Sequence, residues 1–234
     1  MRKWVMGMLA AFMLLVSSGM SMADSEGVIV QSSCSVVPSG DYCLVYCYAQ
    51  VHNNSSDIIC LEQGTFELHS GEQLLASQAV DGVWPSLVNP GEVGYMFDVV
   101  VFEPDENGQP FMPQITGVEY DIQYMTVESS FASLPLDAQA EIVRDARGGM
   151  TVNLLVSNNS GVDAFDPTIA FGLYTDGGAM VYADGSTLRN IGIPAGDSML
   201  MRFPVDEEIV AQWDTYGANV TQANVSACFR NDAD

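Results

Sequence analysis

Residues 51–71 read VHNNSSDIICLEQGTFELHSG, and residues 156–176 read VSNNSGVDAFDPTIAFGLYTD. The same outline returns 105 positions on. Val51 matches Val156, Asn53-Asn54-Ser55 matches Asn158-Asn159-Ser160, and Phe66 and Leu68 match Phe171 and Leu173. The offset holds without a gap through Gly91 and Met96, which match Gly196 and Met201. Asn-Asn-Ser is turn chemistry, because Asn tolerates left-handed backbone and closes local hydrogen bonds with its side chain. Phe-x-Leu puts two large apolar groups on one face of a strand, since strand side chains alternate. Gly91 and Gly196 end Asn89-Pro90-Gly91 and Pro194-Ala195-Gly196, each a turn before a new strand. Turn, strand and turn recur in one order, which points to duplication of a whole domain.

Working outward, period-two patterning and turn residues predict strands near 28–37, 42–52, 58–69, 73–80, 93–102 and 117–127 in the first copy. In the second copy they fall near 139–145, 150–157, 167–174, 178–184, 197–204 and 218–229. Helical periodicity is confined to Asp206–Trp213, with Asp206 as N-cap. The expected fold is all-β: two tandem antiparallel β-sandwiches of immunoglobulin type following a signal peptide. The boundaries read as 1–23 signal, 24–128 first domain, 129–138 linker and 139–234 second domain.

The signal is read from Arg2 and Lys3, the apolar run Trp4–Val16, and Ser21-Met22-Ala23 as a small-x-small cleavage site. The run is too short to span a bilayer comfortably, so the expectation is a secreted or periplasmic chain with no membrane insertion after cleavage. Without Arg2 and Lys3 the remaining basic side chains are five arginines, against 30 Asp and Glu. Residues 24–132 contain 16 acids and no Lys or Arg. Such a surface repels phosphate backbones, which argues against nucleic-acid binding, and it attracts cations or a basic partner.

Phe171-Gly172-Leu173-Tyr174, with Thr175-Asp176-Gly177 after it, resembles the motif of the bacterial FxLYD domain family. Asn158-Asn159-Ser160-Gly161 before it and Pro194-Ala195-Gly196 after it fit that family's flanking pattern. Phe66-Glu67-Leu68-His69-Ser70 keeps the Phe and Leu but lacks the Tyr and Asp. The resemblance implies an exported immunoglobulin-like module and carries no active-site residues over to this chain.

Chemistry is sparsely marked. Lys3 is the sole lysine and leaves with the signal, which removes Schiff-base and Ser-Lys mechanisms. No Gly-x-Ser-x-Gly, phosphate-binding glycine loop or His-Glu-x-x-His occurs. His52 and His69 read as ordinary polar histidines. No catalytic residue and no cofactor is assigned. Calcium is the ion that the oxygen-bearing loop residues Glu103, Asp105, Glu106 and Asn107, or Asp163 with Asp166, would suit, though neither group matches the twelve-residue calcium loop. Tyr42, Tyr46 and Tyr48 share one strand face opposite Cys43, Val45 and Cys47. Both faces are apolar, so the reading is a strand buried on both sides rather than an exposed sugar-binding platform. The expected function is a non-catalytic binding or spacer protein for a protein or carbohydrate partner at the cell exterior. The alternatives are a calcium-dependent binder and a hydrolase with a carboxylate site.

In an oxidising compartment the five cysteines tend to pair. If Asn53-Asn54 turns the chain back, Cys47 lies opposite Cys60, and a crossing between sheets at this loop would still leave them near each other. The expected bridges are Cys47–Cys60 and, across the Pro38–Asp41 turn, Cys34–Cys43. A different register would give Cys34–Cys47 or Cys43–Cys60. Cys228 falls on the more polar face of 223–229, which predicts an accessible free thiol, in a monomer or a Cys228-linked dimer.

Overall fold

The computed structural model describes residues 27–80, 83–109 and 111–230, with backbone pairing also given for Val16–Ser17 and Ser21–Met22 along the edge of the first long strand. The rest of the expected signal lies outside the described residues. The first domain contains β1 (Val28–Ser39), β2 (Tyr42–Asn53), β3 (Ile58–Ser70), β4 (Gln73–Val80), the short β5 (Leu87–Val88), β6 (Val93–Phe102) and β7 (Gly117–Val127). One antiparallel sheet runs β1–β2–β6. The other centres on β3, with β7 on one side and β4 and then β5 on the other.

The second domain repeats this plan. Its strands are β8 (Ser133–Pro135), β9 (Asp137–Arg144), β10 (Met150–Ser157), β11 (Ala164–Phe165), β12 (Thr168–Thr175), β13 (Met180–Thr187), β14 (Gly192–Ile193), β15 (Ser198–Val205) and β16 (Val220–Arg230). One sheet is β9–β10–β15 and the other β8–β16–β12–β13. The all-β reading holds. Registers repeat with the sequence offset: Phe66 opposes Tyr120 and Phe171 opposes Val225, while Ile59 pairs with Val88 and Ala164 with Ile193. β3 is continuous, but its counterpart breaks into β11 and β12 at Asp166, whose φ of 47° no strand accommodates.

The repeated Asn explains why the loop is shared. Asn53 and Asn158 are fully buried. The Asn53 amide donates to the carbonyls of Asp57 and Val88 at 2.8 and 2.9 Å, and its Oδ1 accepts from the Ser55 N–H and hydroxyl. Asn158 does the same with Val162, Ile193 and Ser160, at 2.7 and 2.8 Å for the two carbonyls. The side chain ties the loop's carbonyls to the short strand beside it, where the chain crosses from one sheet to the other. Of the two courses open at this loop, the chain takes the crossing between sheets: β2 and β3 do not pair.

Each domain has its own core, and Val37 of β1 packs into the second. Val45, Cys47, Val51, Phe66, Leu68, Met96 and Val118 pack inside the first sandwich. Val152, Leu154, Phe171, Leu173 and Trp213 pack inside the second. Trp213 belongs to α1 (Glu207–Tyr216), which follows β15. Asp206 caps it by accepting from the Glu208 N–H at 2.8 Å, and Gly217 ends it at φ 72°. The expected 129–138 joint holds local structure. A 3-10 turn spans Ser129–Phe131, and Ser133 already pairs with Arg230. A tight joint favours direct contact, and the outer face of β2 and β6 lies on β12 and β13. Tyr48 and Tyr95 are buried there with Ala170, Tyr174, Met180 and Ala183. The Tyr174 hydroxyl donates to Gln50 Oε1 at 2.6 Å, and the Tyr95 hydroxyl donates to the Asn224 carbonyl at 3.3 Å. β2 is thus apolar on both faces because one fills its own core and the other is covered by the second domain.

Candidate binding site at the domain seam

Where the two sheets diverge, the seam opens into a pocket of about 570 Å³. Its aromatic wall is Tyr46 and Tyr48 from β2, Phe97 from β6 and Tyr182 from β13. Its rim carries Asp184 from β13, with Asp206 and Glu207 at the start of α1, and no basic residue lines it. The Tyr48 and Tyr182 rings lie 5.6 Å apart and are tilted, and Trp84 stacks on Phe97 at 5.0 Å. These contacts fix the wall.

The polar atoms are held unevenly. Asp184 accepts from the Gly185 N–H at 2.7 Å and from the Tyr182 hydroxyl at 3.3 Å. Burial nevertheless raises its pKa above the usual carboxylate range, with those two hydrogen bonds opposing. Burial also raises Tyr46, helped by the charges of Asp206 and Glu208. Tyr48 is pushed well up by burial, then by neighbouring Tyr182 and Tyr46. Its hydroxyl is shielded from solvent and has no hydrogen-bond partner. Three phenols and three carboxylates share one concave surface, a combination that suits a cationic group with an apolar stem.

Tyr46 and Tyr48 were visible in the sequence as one face of a strand. Phe97, Tyr182, Asp184 and Glu207 were not singled out as partners, because nothing local links β6, β13 and α1. Tyr182-Ala183-Asp184 carries a faint signal, an aromatic and an acid on one face of a strand. Tyr42 stands apart at the hairpin end and is exposed.

A second cleft of about 780 Å³ lies at the other end of the seam, between Pro85–Leu87 and the loop carrying Asp163, Phe165 and Asp166. Those two acids serve turns: Asp163 accepts from the Ala195 N–H and Asp166 from the Asn190 N–H. Asp105 likewise accepts from the N–H groups of Asn107 and Gln109, which lowers its pKa. Neither loop group brings three ligand atoms together among the described residues. One group does: Glu67, His69 and Glu119 have ligand atoms within 4.8 Å of one another. His52 instead contacts the Gly91 carbonyl, at 3.3 Å.

The cysteine expectations need correction. The tight turn at Gly40–Asp41 sets Cys34 opposite Cys47, while Cys43 faces Pro38, so a Cys34–Cys43 bridge does not fit the register. Cys60 sits on β3 in the other sheet, opposite Met125, and away from the Cys34–Cys47 pair. Cys228 does point away from its own core, as alternation requires, but it is only 5% exposed. β8 and the Pro85–Leu87 loop cover it, and burial pushes its thiol up to about 11, partly offset by a hydrogen bond with Ser133. An accessible thiol linking two chains is therefore not what this face offers.

No protein-family model matches the chain, and no curated protein matches it. Among solved structures, exo-chitosanase CsxA of Amycolatopsis orientalis is similar at 15% identity and a TM-score of 0.24, over 82% of this chain and 26% of that one. For a complex of that enzyme with PNP-β-D-glucosamine the shares are 76% and 25%, at the same identity and TM-score. The chain spans about a quarter of the length of that enzyme. A likeness this loose carries no argument about fold or activity. Among the described residues, no helix is long and apolar enough to cross a membrane.

Proposed function

We propose that this chain is a non-catalytic, exported binding protein in which two immunoglobulin-like domains form one unit, with the seam pocket receiving a cationic group of a basic partner. The observation that carries the reading is the pocket itself. Tyr46, Tyr48, Phe97 and Tyr182 stand under Asp184, Asp206 and Glu207 with no basic side chain among the lining residues. A lysine or arginine side chain places its stem on such aromatic faces and its charge at the acidic rim. The acidic surface supports long-range attraction of the same partner. The resemblance of Phe171–Tyr174 to the FxLYD motif supports an exported module, and Tyr174 of that motif holds the two domains together through Gln50.

The test is a calorimetric titration of the chain from residue 24 with a tetralysine peptide and a tetraglutamate control. Saturable one-to-one binding of tetralysine is expected, weakened at least tenfold in Asp206→Asn with Glu207→Gln. Asn still caps α1, so the variant keeps the fold while losing charge. Absent binding, or equal binding by the variant, would overturn the reading.

A further inference from the structure

The outer face of the β3–β7 pair in the first domain carries an arrangement that the seam does not use. Glu67 on β3 and Glu119 on β7 are register partners, directly opposite each other. Like charges in that position destabilise a sheet. No Lys or Arg exists in residues 24–132 to neutralise them. His69 lies two residues along β3 on the same face, its Nε2 3.5 Å from Glu67 Oε2. That nitrogen is shielded from solvent and has no hydrogen-bond partner. Gly117 stands opposite His69, so no side chain crosses the space on that strand. The end of the site is fixed from behind, because Thr116 donates its N–H to the His69 carbonyl at 2.8 Å and its hydroxyl oxygen accepts from the Gly71 N–H at 2.7 Å.

The second domain shows what this face does when it is not a site. At the same 105-residue offset Glu67, His69 and Glu119 become Gly172, Tyr174 and Asn224. There the face is closed by docking: Tyr95 lies over Gly172 and bonds to the Asn224 carbonyl. The fold itself therefore does not require two carboxylates and an imidazole here.

We propose that Glu67, His69 and Glu119 bind a divalent transition-metal ion, with zinc as the type. The imidazole nitrogen is a borderline ligand that favours zinc-like ions over calcium, which takes oxygen alone, and zinc accepts the two hard carboxylate oxygens beside it. Three protein ligands on rigid strands leave a coordination position open to water or to a donor atom of a partner. The ion would cancel the Glu67–Glu119 repulsion and give the desolvated His69 nitrogen a partner. The three ligand atoms lie within 4.8 Å, and the rotatable glutamate side chains can draw in to coordination distance.

The experiment uses the chain from residue 24, stripped with chelator and titrated with zinc by calorimetry, with thermal melting in parallel. One saturable site per chain and an upward melting shift are expected. Affinity should fall at least tenfold in His69→Gln and, separately, in Glu119→Gln, each checked for an unchanged circular dichroism spectrum. Cobalt should bind without a thiolate charge-transfer band, which excludes the cysteines as ligands. Calcium at matched ionic strength should give no saturable shift. The proposal is overturned by absent zinc saturation, by zinc binding that both variants retain, or by a thiolate band with cobalt.

Discussion

The two domains share a loop and differ in a face. At the loop, Asn53 and Asn158 make the same bonds to equivalent partners. At the face, copy two presents Gly172 and Tyr174 and is covered, whereas copy one presents Glu67 and His69 and is open. The buried asparagine ties together groups on both sides of the crossing, and no apolar residue can replace its hydrogen bonds. An outer sheet face has no such obligation. It diverges according to what lies against it, so identity between copies marks the sheet crossing and difference marks the assembly.

The largest effect expected from this comparison is at the asparagines. Asn53→Ala and Asn158→Ala each remove four hydrogen bonds, two to carbonyls and two from Ser55 or Ser160. Each should cost roughly 2–4 kcal/mol, at about 1 kcal/mol for each hydrogen bond lost. Urea unfolding of the two variants would measure it. If one variant lost less than about 1 kcal/mol, the equivalence of the two loops would be broken.

Next comes a feature that only copy one has. Cys34 and Cys47 are opposed on β1 and β2 and both face the core, where copy two has Val152 in place of Cys47. Directly opposed antiparallel residues have Cα separations of about 4.5–5.5 Å, within the range of a disulfide. In an oxidising compartment Cys34–Cys47 is the expected bridge, contributing about 3 kcal/mol in the chain-entropy model. Non-reducing peptide mapping should recover that linked pair. A Cys34–Cys43 peptide would show that the register of β1 on β2 is different in solution, and a Cys47–Cys60 peptide that β3 lies differently against β2.

The covered face can be probed at Gly172. A Cβ there would lie 2.6 Å from Tyr95 Cε1 and 2.9 Å from the Tyr174 hydroxyl. Gly172→Ala should cost about 1–3 kcal/mol through overpacking and loosen the seam. Glu67→Ala, at the equivalent open position, should stay within about 0.5 kcal/mol in metal-free protein. Small-angle scattering should show a larger radius of gyration only for Gly172→Ala. Equal behaviour of the two variants would mean that the domains do not dock through this face.

These differences also mark where the sequence was readable. Alternation located the strands, put Phe66 and Leu68 on a core face, and flagged β2 as apolar on both sides. Asp206 announced its helix because an N-cap is a local interaction. What was missed was never local. Whether Asn53 turns the chain back or sends it to the other sheet depends on which surface the next strand buries. Cys228 was placed on the correct face of β16, but alternation says nothing of what covers that face. The seam pocket draws its walls from β2, β6, β13 and α1, whose meeting is set by docking of whole sheets.

The smallest expected effect is a pH dependence at Asp184. Its register places it opposite Phe171, as Gln78 lies opposite Phe66 in copy one. Gln78 is neutral and donates to Asp98 Oδ2 at 3.1 Å. Asp184 is ionisable, and burial raises its pKa above the ordinary 3.8. The folded state then holds its proton at pH values where the unfolded chain has released it. Folded protein binds more protons than unfolded protein between 3.8 and the raised value, so this group's contribution to stability falls as pH rises through that window. Above the window the charged carboxylate carries its desolvation cost in full. Asp184→Asn removes the titration and keeps an oxygen for the Gly185 N–H, which makes copy two resemble copy one here. The difference in unfolding free energy between variant and parent should therefore shift in the variant's favour on going from pH 4 to pH 7. A difference that stays flat across that range would mean that Asp184 is solvated, and that the seam pocket is more open than its aromatic walls suggest.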